Sequence, residues 1–293
     1  MTMVIVMGGI DVSVGPAMGV AAIAGARLME ANMSWPVVVL GAVATGVGIG
    51  LLNGALVAFA RIPPIIATLG TMSLLEAAVF GLLNGQWITG LPPTFSTLIT
   101  GTWLGLPSSV FVLLVPYAVF WYLLTFRAFG RHIYAVGNSP EAATLAGIRV
   151  TRVQVLTFGI LGALVGGAAL LYLGLMASVE ITVGSNLAIQ SIAAVVIGGT
   201  AITGGRGSIV GTLAGVLFMA IMQNGIVLLG IPSLWENAII GTLVLLSIAF
   251  DRLVEVGLRR RHEARRWAVR RGLGETGTEG AVESAPPAIV SKP

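Results

Sequence analysis

Eight runs of largely apolar residues constrain this chain most, at roughly 10–26, 36–60, 65–84, 107–126, 153–175, 187–203, 208–230 and 233–250. Each is close to the length of about 20 residues that an α-helix needs to cross the hydrocarbon layer of a bilayer. Inside that layer a backbone has no water to bond, so it must satisfy itself as a helix or a closed barrel. Runs of this length and continuity read as helices. Composition agrees: 56% of the 293 residues are hydrophobic and only 10% charged, against about 25% charged in a soluble domain, and the mean hydropathy is +0.96. The expected fold is all-α, a polytopic helical membrane protein of about eight spans.

Met1 to Met7 is apolar, too short to cross, and carries no charged leader or cleavage site. It reads as the end of a truncated N-terminal helix, whether by nature, by truncation or by a start site placed too late. At the other end, residues 272–293 are rich in Gly, Glu, Ala, Ser and Pro with no periodic apolar face, and a disordered tail is expected. The chain thus divides into a transmembrane domain over 1–251 and a basic, then disordered, tail over 252–293.

Basic residues set the expected orientation. Arg127, Arg131, Arg149 and Arg152 crowd the link between the fourth and fifth runs, and eight Arg follow the last run between Arg252 and Arg271. Cytoplasmic segments carry such excesses. Four spans separate the two clusters, so both fall on one side, and the C-terminus is cytoplasmic. Counting outward puts Arg61 and Arg206 in short cytoplasmic turns, while the Lys- and Arg-free segments 85–106 and 176–186 lie outside. The Arg259 to Arg271 cluster also suits anionic lipid headgroups; the asymmetry concerns the membrane and not nucleic acid.

Several chemistries are excluded. The chain has no Cys, hence no disulfide or thiolate site. Its one Lys, Lys292, is followed by Pro293, so no Walker A loop can exist and any ATP must be hydrolysed by another chain. His132 and His262 lie in separate Arg-rich segments, which argues against a metal site or acid–base catalysis. The chain is expected to bind no cofactor or metal and to catalyse no reaction.

Within the first Arg-rich link, Asn138-Ser-Pro-Glu-Ala-Ala-Thr-Leu-Ala-Gly-Ile148 predicts a capped helix of about two turns. Ser139 caps, Pro140 suits the first position, Glu141 complements the dipole and Gly147 ends the helix. An amphipathic turn and a docking element are both compatible with that pattern. Gly46, Gly50 and Gly54, Gly162 and Gly166, and Gly211 and Gly215 recur every four residues, the spacing that lets membrane helices approach closely. Gly8-Gly9 and Gly204-Gly205 stand at span boundaries before polar residues and predict helix breaks, where freed backbone groups line a cavity or turn. Val6–Val20 and Ile202–Val216 share six identities in 15 positions at an offset of 196. Paired breaks of this kind occur in transporters, although so Gly- and Val-rich a chain can match itself by accident.

Ionisable residues inside spans are functional candidates because burying them is costly. Asp11 and Glu76 qualify, with Glu236 near the outer end of the last run. Asp11 can accept hydrogen bonds from amides freed by the break, or contact a solute. Glu76 is protonated, bonded to a hydroxyl such as Ser73, or facing water. Asn53, Asn84, Gln86, Gln190, Gln223 and Asn224 suit passage of a hydroxyl-rich neutral solute, since amides donate and accept at once; interhelical bonding is the other role open to each. Ser13, beside Asp11, joins the pathway or helix-break set of Gly8, Gly9, Asp11, Asn53, Glu76, Gly204, Gly205 and Asn224.

Glu141-Ala142-Ala143-x-x-x-Gly147 resembles the signature of permease subunits of bacterial ABC importers. Gly8-Gly-Ile-Asp-Val-Ser-Val-Gly15, Tyr134-Ala-Val-Gly137, and Ile197-Gly-Gly-Thr200 leading to Gly204-Gly-Arg-Gly-Ser-Ile-Val-Gly-Thr212 are similar to the monosaccharide branch, of ribose, xylose, arabinose and autoinducer-2 type. The resemblance runs to about Asp251, departing at the N-terminus, where family members have a further span and a complete helix. It implies a permease that pairs with a second permease chain, identical or not, to form the pore. It also implies a periplasmic or lipid-anchored substrate-binding protein outside, and a cytoplasmic ATPase touching a coupling helix formed by Ser139, Pro140, Glu141, Ala142, Ala143 and Gly147. The solute would be a small neutral sugar or sugar-like compound. A branched-chain amino acid permease and an ion-coupled secondary transporter remain as alternatives.

Overall fold

The structure, a computed structural model, describes residues 1–232 together with 235, 238–243, 245–247 and 249. Glu236 and other scattered residues of the eighth apolar run, the Arg252–Arg271 cluster, His262 and the tail expected over 252–293 lie outside the described residues. Contacts divide the chain into Met1–Leu243 and Val244–Pro293; the first unit is the one described below.

In chain order the elements are α1 (Thr2–Val6), α2 (Val14–Glu30), α3 (Trp35–Ala58), α4 (Pro64–Leu83), α5 (Pro93–Thr100), β1 (Thr102–Trp103), β2 (Leu106–Pro107), α6 (Ser108–Phe126), α7 (Ala128–Asn138), α8 (Pro140–Leu145), α9 (Val150–Met176), α10 (Leu187–Ile197) and α11 (Ile209–Leu228). Among the described residues, α3, α4, α6, α9 and α11 are long and apolar enough to cross a membrane. They occupy five of the expected runs nearly end to end. Two further runs hold shorter helices. α2 has 17 residues and starts late, because residues 7–13 are not helical, and α10 has 11 and stops before Gly198.

One departure from an all-helical chain is a minimal antiparallel hairpin that pairs Thr102 with Pro107 and Trp103 with Leu106. Its two-residue turn, Leu104-Gly105, has φ of 51° and 81°, the left-handed pair that a tight hairpin requires. A leucine in the first of those positions hides the signal from sequence. Nearby, Ile88 and Val179 exchange both backbone hydrogen bonds, at 3.1 and 2.9 Å. The segments 85–106 and 176–186, expected on one side of the membrane, therefore meet at one end of the molecule.

The centre of the fold is the pairing of α3 with α9, the most extensive helix contact, with α2 packed against both. Lipid tails are as apolar as leucine, so helices associate there through close fit. Small residues supply that fit here: a Cβ on Gly46 would run into the backbone of Gly162 and Gly166, and one on Gly50 into the carbonyl of Phe158. The glycine spacing in both helices is thus a packing seam. α6 is the opposite case. Of its side chains only Leu124 is buried, and Val112, Leu113, Val115, Val119 and Trp121 are exposed, the surface that a lipid-facing helix presents.

Gly48 lies on the exposed side of α3, with nothing within 4 Å of where a Cβ would stand. Gly50→Ala is therefore expected to destabilise by about 1–3 kcal/mol through overpacking, while Gly48→Ala is neutral or stabilising by up to about 1 kcal/mol. Paired thermal melts of the two variants in detergent check this; equal melting temperatures would contradict the seam.

Candidate functional site

Two structural features gather most of the residues singled out by sequence. The first is the interruption between α1 and α2. Gly8, at φ +88°, turns the chain out of α1, and helix resumes only at Val14. A side chain at that φ would be strained. Between them, Asp11 Oδ1 accepts from the Ser13 amide at 2.9 Å and from the Ser13 hydroxyl at 2.6 Å. Ser13 Oγ in turn accepts from Asn53 Nδ2 on α3 at 2.8 Å. All three residues are at most 3% exposed. The carboxylate thus answers a backbone amide that no helix satisfies, one of the two roles open to it on sequence.

Thr68, which sequence reasoning missed, fastens the same segment to α4. Its hydroxyl oxygen accepts from Val12 N at 3.3 Å and lies 3.1 Å from Ile10 O. A threonine one turn into an apolar helix carries no distinguishing signal until the segment it holds is placed against it.

The three glycine-bearing stretches also converge. Gly205 N donates to Val6 O at 2.8 Å, and the Tyr134 hydroxyl donates to Gly207 O at 2.7 Å. Gly204 packs against Gly8 and Gly137. The Thr2 and Thr212 hydroxyls, 2.8 Å apart, join α1 to α11. Gly9 packs instead on Val4 and Pro64. Glu76 and Asn224 stand apart from this junction, exposed on α4 and α11. Ser73, one of the partners open to Glu76 on sequence, donates its hydroxyl to Leu69 O at 3.3 Å.

The second feature is α8. Ser139 Oγ accepts from Ala142 N at 3.1 Å, Pro140 opens the helix, and Gly147 leaves it at φ +81°. Gly147 N donates to Thr144 O and Ile148 N to Ala143 O, both at 3.0 Å, the reciprocal pair that closes a helix around a left-handed glycine. Both ends are therefore chemically finished within a helix of 6 residues. Ala143 faces inward; Glu141, Ala142, Thr144 and Gly147 are exposed, and Leu145 is 90% exposed. Leu145 sits at an unspecified position of the sequence signature, so only the structure singles it out.

Beside α8 lies an open cavity of about 1100 Å³ whose lining includes Arg61, Pro63, Glu141, Thr144, Arg149 and Gln154. Arg61 and Arg149, expected on one side of the membrane, both line this cavity. The Ser139 hydroxyl lies 3.0 Å from Glu141 Oε2. With the residue's own backbone amide as the larger cause, this contact holds the Glu141 carboxyl below the usual carboxylate range. A lowered carboxylate pKa favours the folded helix above the ordinary carboxylate range, and the benefit is lost as pH falls through the lowered value. Ser139→Ala removes the cap, at about 1 kcal/mol, and returns the Glu141 titration upward. Amide exchange across α8 as pH is lowered should show wild type holding to lower pH than the variant; coincident profiles would contradict the capping geometry.

The chain matches the family model described as branched-chain amino acid transport system / permease component over residues 1–248. It is 35% identical over 254 residues to the ribose import permease protein RbsC of Bacillus subtilis (strain 168), covering 86% of this chain and 79% of that one. To the corresponding ribose import permease of Escherichia coli (strain K12) it is 34% identical, with the same coverages. To the autoinducer 2 import system permease protein LsrC of Salmonella typhimurium it is 33% identical over 267 residues, 91% of this chain and 77% of that one. No solved structure matches. With finished helix ends at α8, apolar helices of membrane-crossing length and a family match across nearly all described residues, the chain belongs to the branched-chain amino acid transport system / permease component family and is a permease subunit of the ABC importer type.

Proposed function

We propose that this chain forms one half of the translocation pore of an ATP-driven importer for a small neutral sugar or sugar-like solute, in the inner membrane of a bacterium. The observation that carries the reading is α8, a short helix capped at both ends that presents Glu141, Thr144 and Leu145 outward. A free-standing carrier has no evident use for such an element. A separate ATPase does, because a rigid, pre-formed helix transmits a displacement without first having to order itself. In this reading the ATPase docks on the helix formed by Ser139, Pro140, Glu141, Ala142, Ala143 and Gly147, through its outward face with Ala143 turned inward, and α8 and the C-terminus are cytoplasmic. A second permease chain, identical or not, completes the pore, and a periplasmic or lipid-anchored binding protein delivers solute from the other side.

The relatives' names, ribose and autoinducer 2 import, support a hydroxyl-rich solute. The family's description supports a second reading, a branched-chain amino acid, and transport assays with each solute class, presented by the cognate binding protein, separate the two. The converging glycine segments serve as non-helical backbone inside the membrane, held by Asp11, Ser13 and Asn53. Glu76 is the one acidic residue in the five long apolar helices, and it is exposed. A carboxylate is costly against lipid, which supports a place for Glu76 and Asn224 on the water-filled path or against the second chain.

Capture of the ATPase by the detergent-solubilised permease tests the coupling. Glu141→Arg and Gly147→Leu are each expected to weaken capture by about tenfold or more, the effect of losing a central contact, with folding retained by melting temperature. Undiminished capture would remove α8 as the docking element. In reconstituted vesicles, Glu76→Leu should lower solute uptake while leaving ATPase capture intact, and Glu76→Gln should keep more of it; unchanged uptake in both would place the carboxylate off the path.

A further inference from the structure

The hydrogen bonds at the α1–α2 interruption run in one direction and do not close. Asn53 Nδ2 donates to Ser13 Oγ, and the single Ser13 hydroxyl proton goes to Asp11 Oδ1. That proton is then unavailable to Asn53 Oδ1, which is fully buried and has no partner among the described residues. Asn53 itself is 1% exposed. Leaving an acceptor this deep unpaired destabilises the fold. Reversing the amide does not cure the mismatch. It would bring Oδ1 to Ser13, take the hydroxyl proton from Asp11 or compete for it, and leave two N–H groups facing the same space.

Asn53 lines a small pocket between α2, α3 and α9. It is bounded by Asp11, Ser13 and Asn53 on one side and by Leu161, Gly162 and Val165 on the other, and leaves about 10 Å³ in which a water's centre can sit. That is about the room one molecule needs, and one molecule also needs two to four polar partners. Both conditions are met here.

We infer that a single water molecule is a fixed component of this site, donating one hydrogen to Asn53 Oδ1 and the other to the Asp11 carboxylate. Water suits either orientation of the amide because it both donates and accepts. A bare monovalent cation would answer the carboxylate, but the apolar walls offer it no full shell of oxygens. The bound water completes the polar connection from the interrupted segment through α3, at the place where the glycine seam leaves no room for a larger side chain to do so. The inference concerns how the interrupted segment is held and does not depend on which solute is carried, so it stands or falls independently of the transport reading.

Three measurements on the intact permease test it. A density map that resolves ordered water is expected to show one peak within hydrogen-bonding distance of both Asn53 Oδ1 and Asp11; a well-resolved map with no peak there overturns the inference. Val165→Ile adds one methyl group to the wall of the pocket. Displacing a bonded water with it lowers the melting temperature, whereas filling a dry void would hold or raise it, and that result also overturns the inference. Melting in matched sodium, potassium and choline salts should coincide; a rise specific to one metal cation would identify a cation as the occupant and replace the water. Should Val165→Ile fail to fold, the map and the salt series decide alone.

Discussion

The contact of backbone against backbone between α3 and α9 is the constraint on which the rest depends. In lipid no solvent pushes apolar helices together, so a seam must be won by fit, and Gly46, Gly50 and Gly162 bring the two helices close enough for their carbonyls and α-carbons to meet. α2 then lies across both, which fixes where the segment before it must run. Asn53 reaches Ser13 because it sits one turn from Gly50 on that same seam. A larger residue at any of these glycines would separate the helices and pull the amide away from the hydroxyl it holds.

The interruption at residues 7–13 follows from the same geometry and from a second rule, that backbone groups removed from water must be answered locally. Ser13, Asp11 and Thr68 answer them with short side chains whose own needs are met nearby. The other glycine stretch contributes its backbone: Gly205 N to Val6 O, with Gly207 O taking the Tyr134 hydroxyl. Motifs far apart in the sequence thereby become one junction, and α7 with α8 leads directly away from it. Any movement of α8 bears on this junction through Tyr134 and Asn138, which precede it on one short helix.

Most of the long helices were legible because hydropathy reports membrane-crossing length directly; α3, α4, α6, α9 and α11 follow their apolar runs within a few residues. α2 and α10 were less legible, since hydropathy does not register a helix that stops while its residues remain apolar. Val12 and Ile202 are as hydrophobic outside a helix as inside one. The caps of α8 were readable to the residue, because Ser139, Pro140 and Gly147 each have a local stereochemical reason to be there. What sequence could not supply was exposure and pairing: that Leu145 stands out in solvent, that Thr68 holds the interrupted segment, and that Glu76 turns away from the chain's own interior while Ser73 bonds its own backbone. These depend on which face of a helix is covered, and the helices here have apolar residues all round.

The paired backbones of Ile88 and Val179 have a mechanical meaning. They tie the segment after α4 to the segment after α9 at the end of the molecule away from α8, while the glycine seam ties α3 to α9 along its length. With α9 clasped at the rim and along its middle, a push delivered near Arg149 meets a stiff strut that is not free to pivot about its far end. α6 and α11, with few buried residues of their own, are held far less firmly than this clasped frame of α2, α3 and α9.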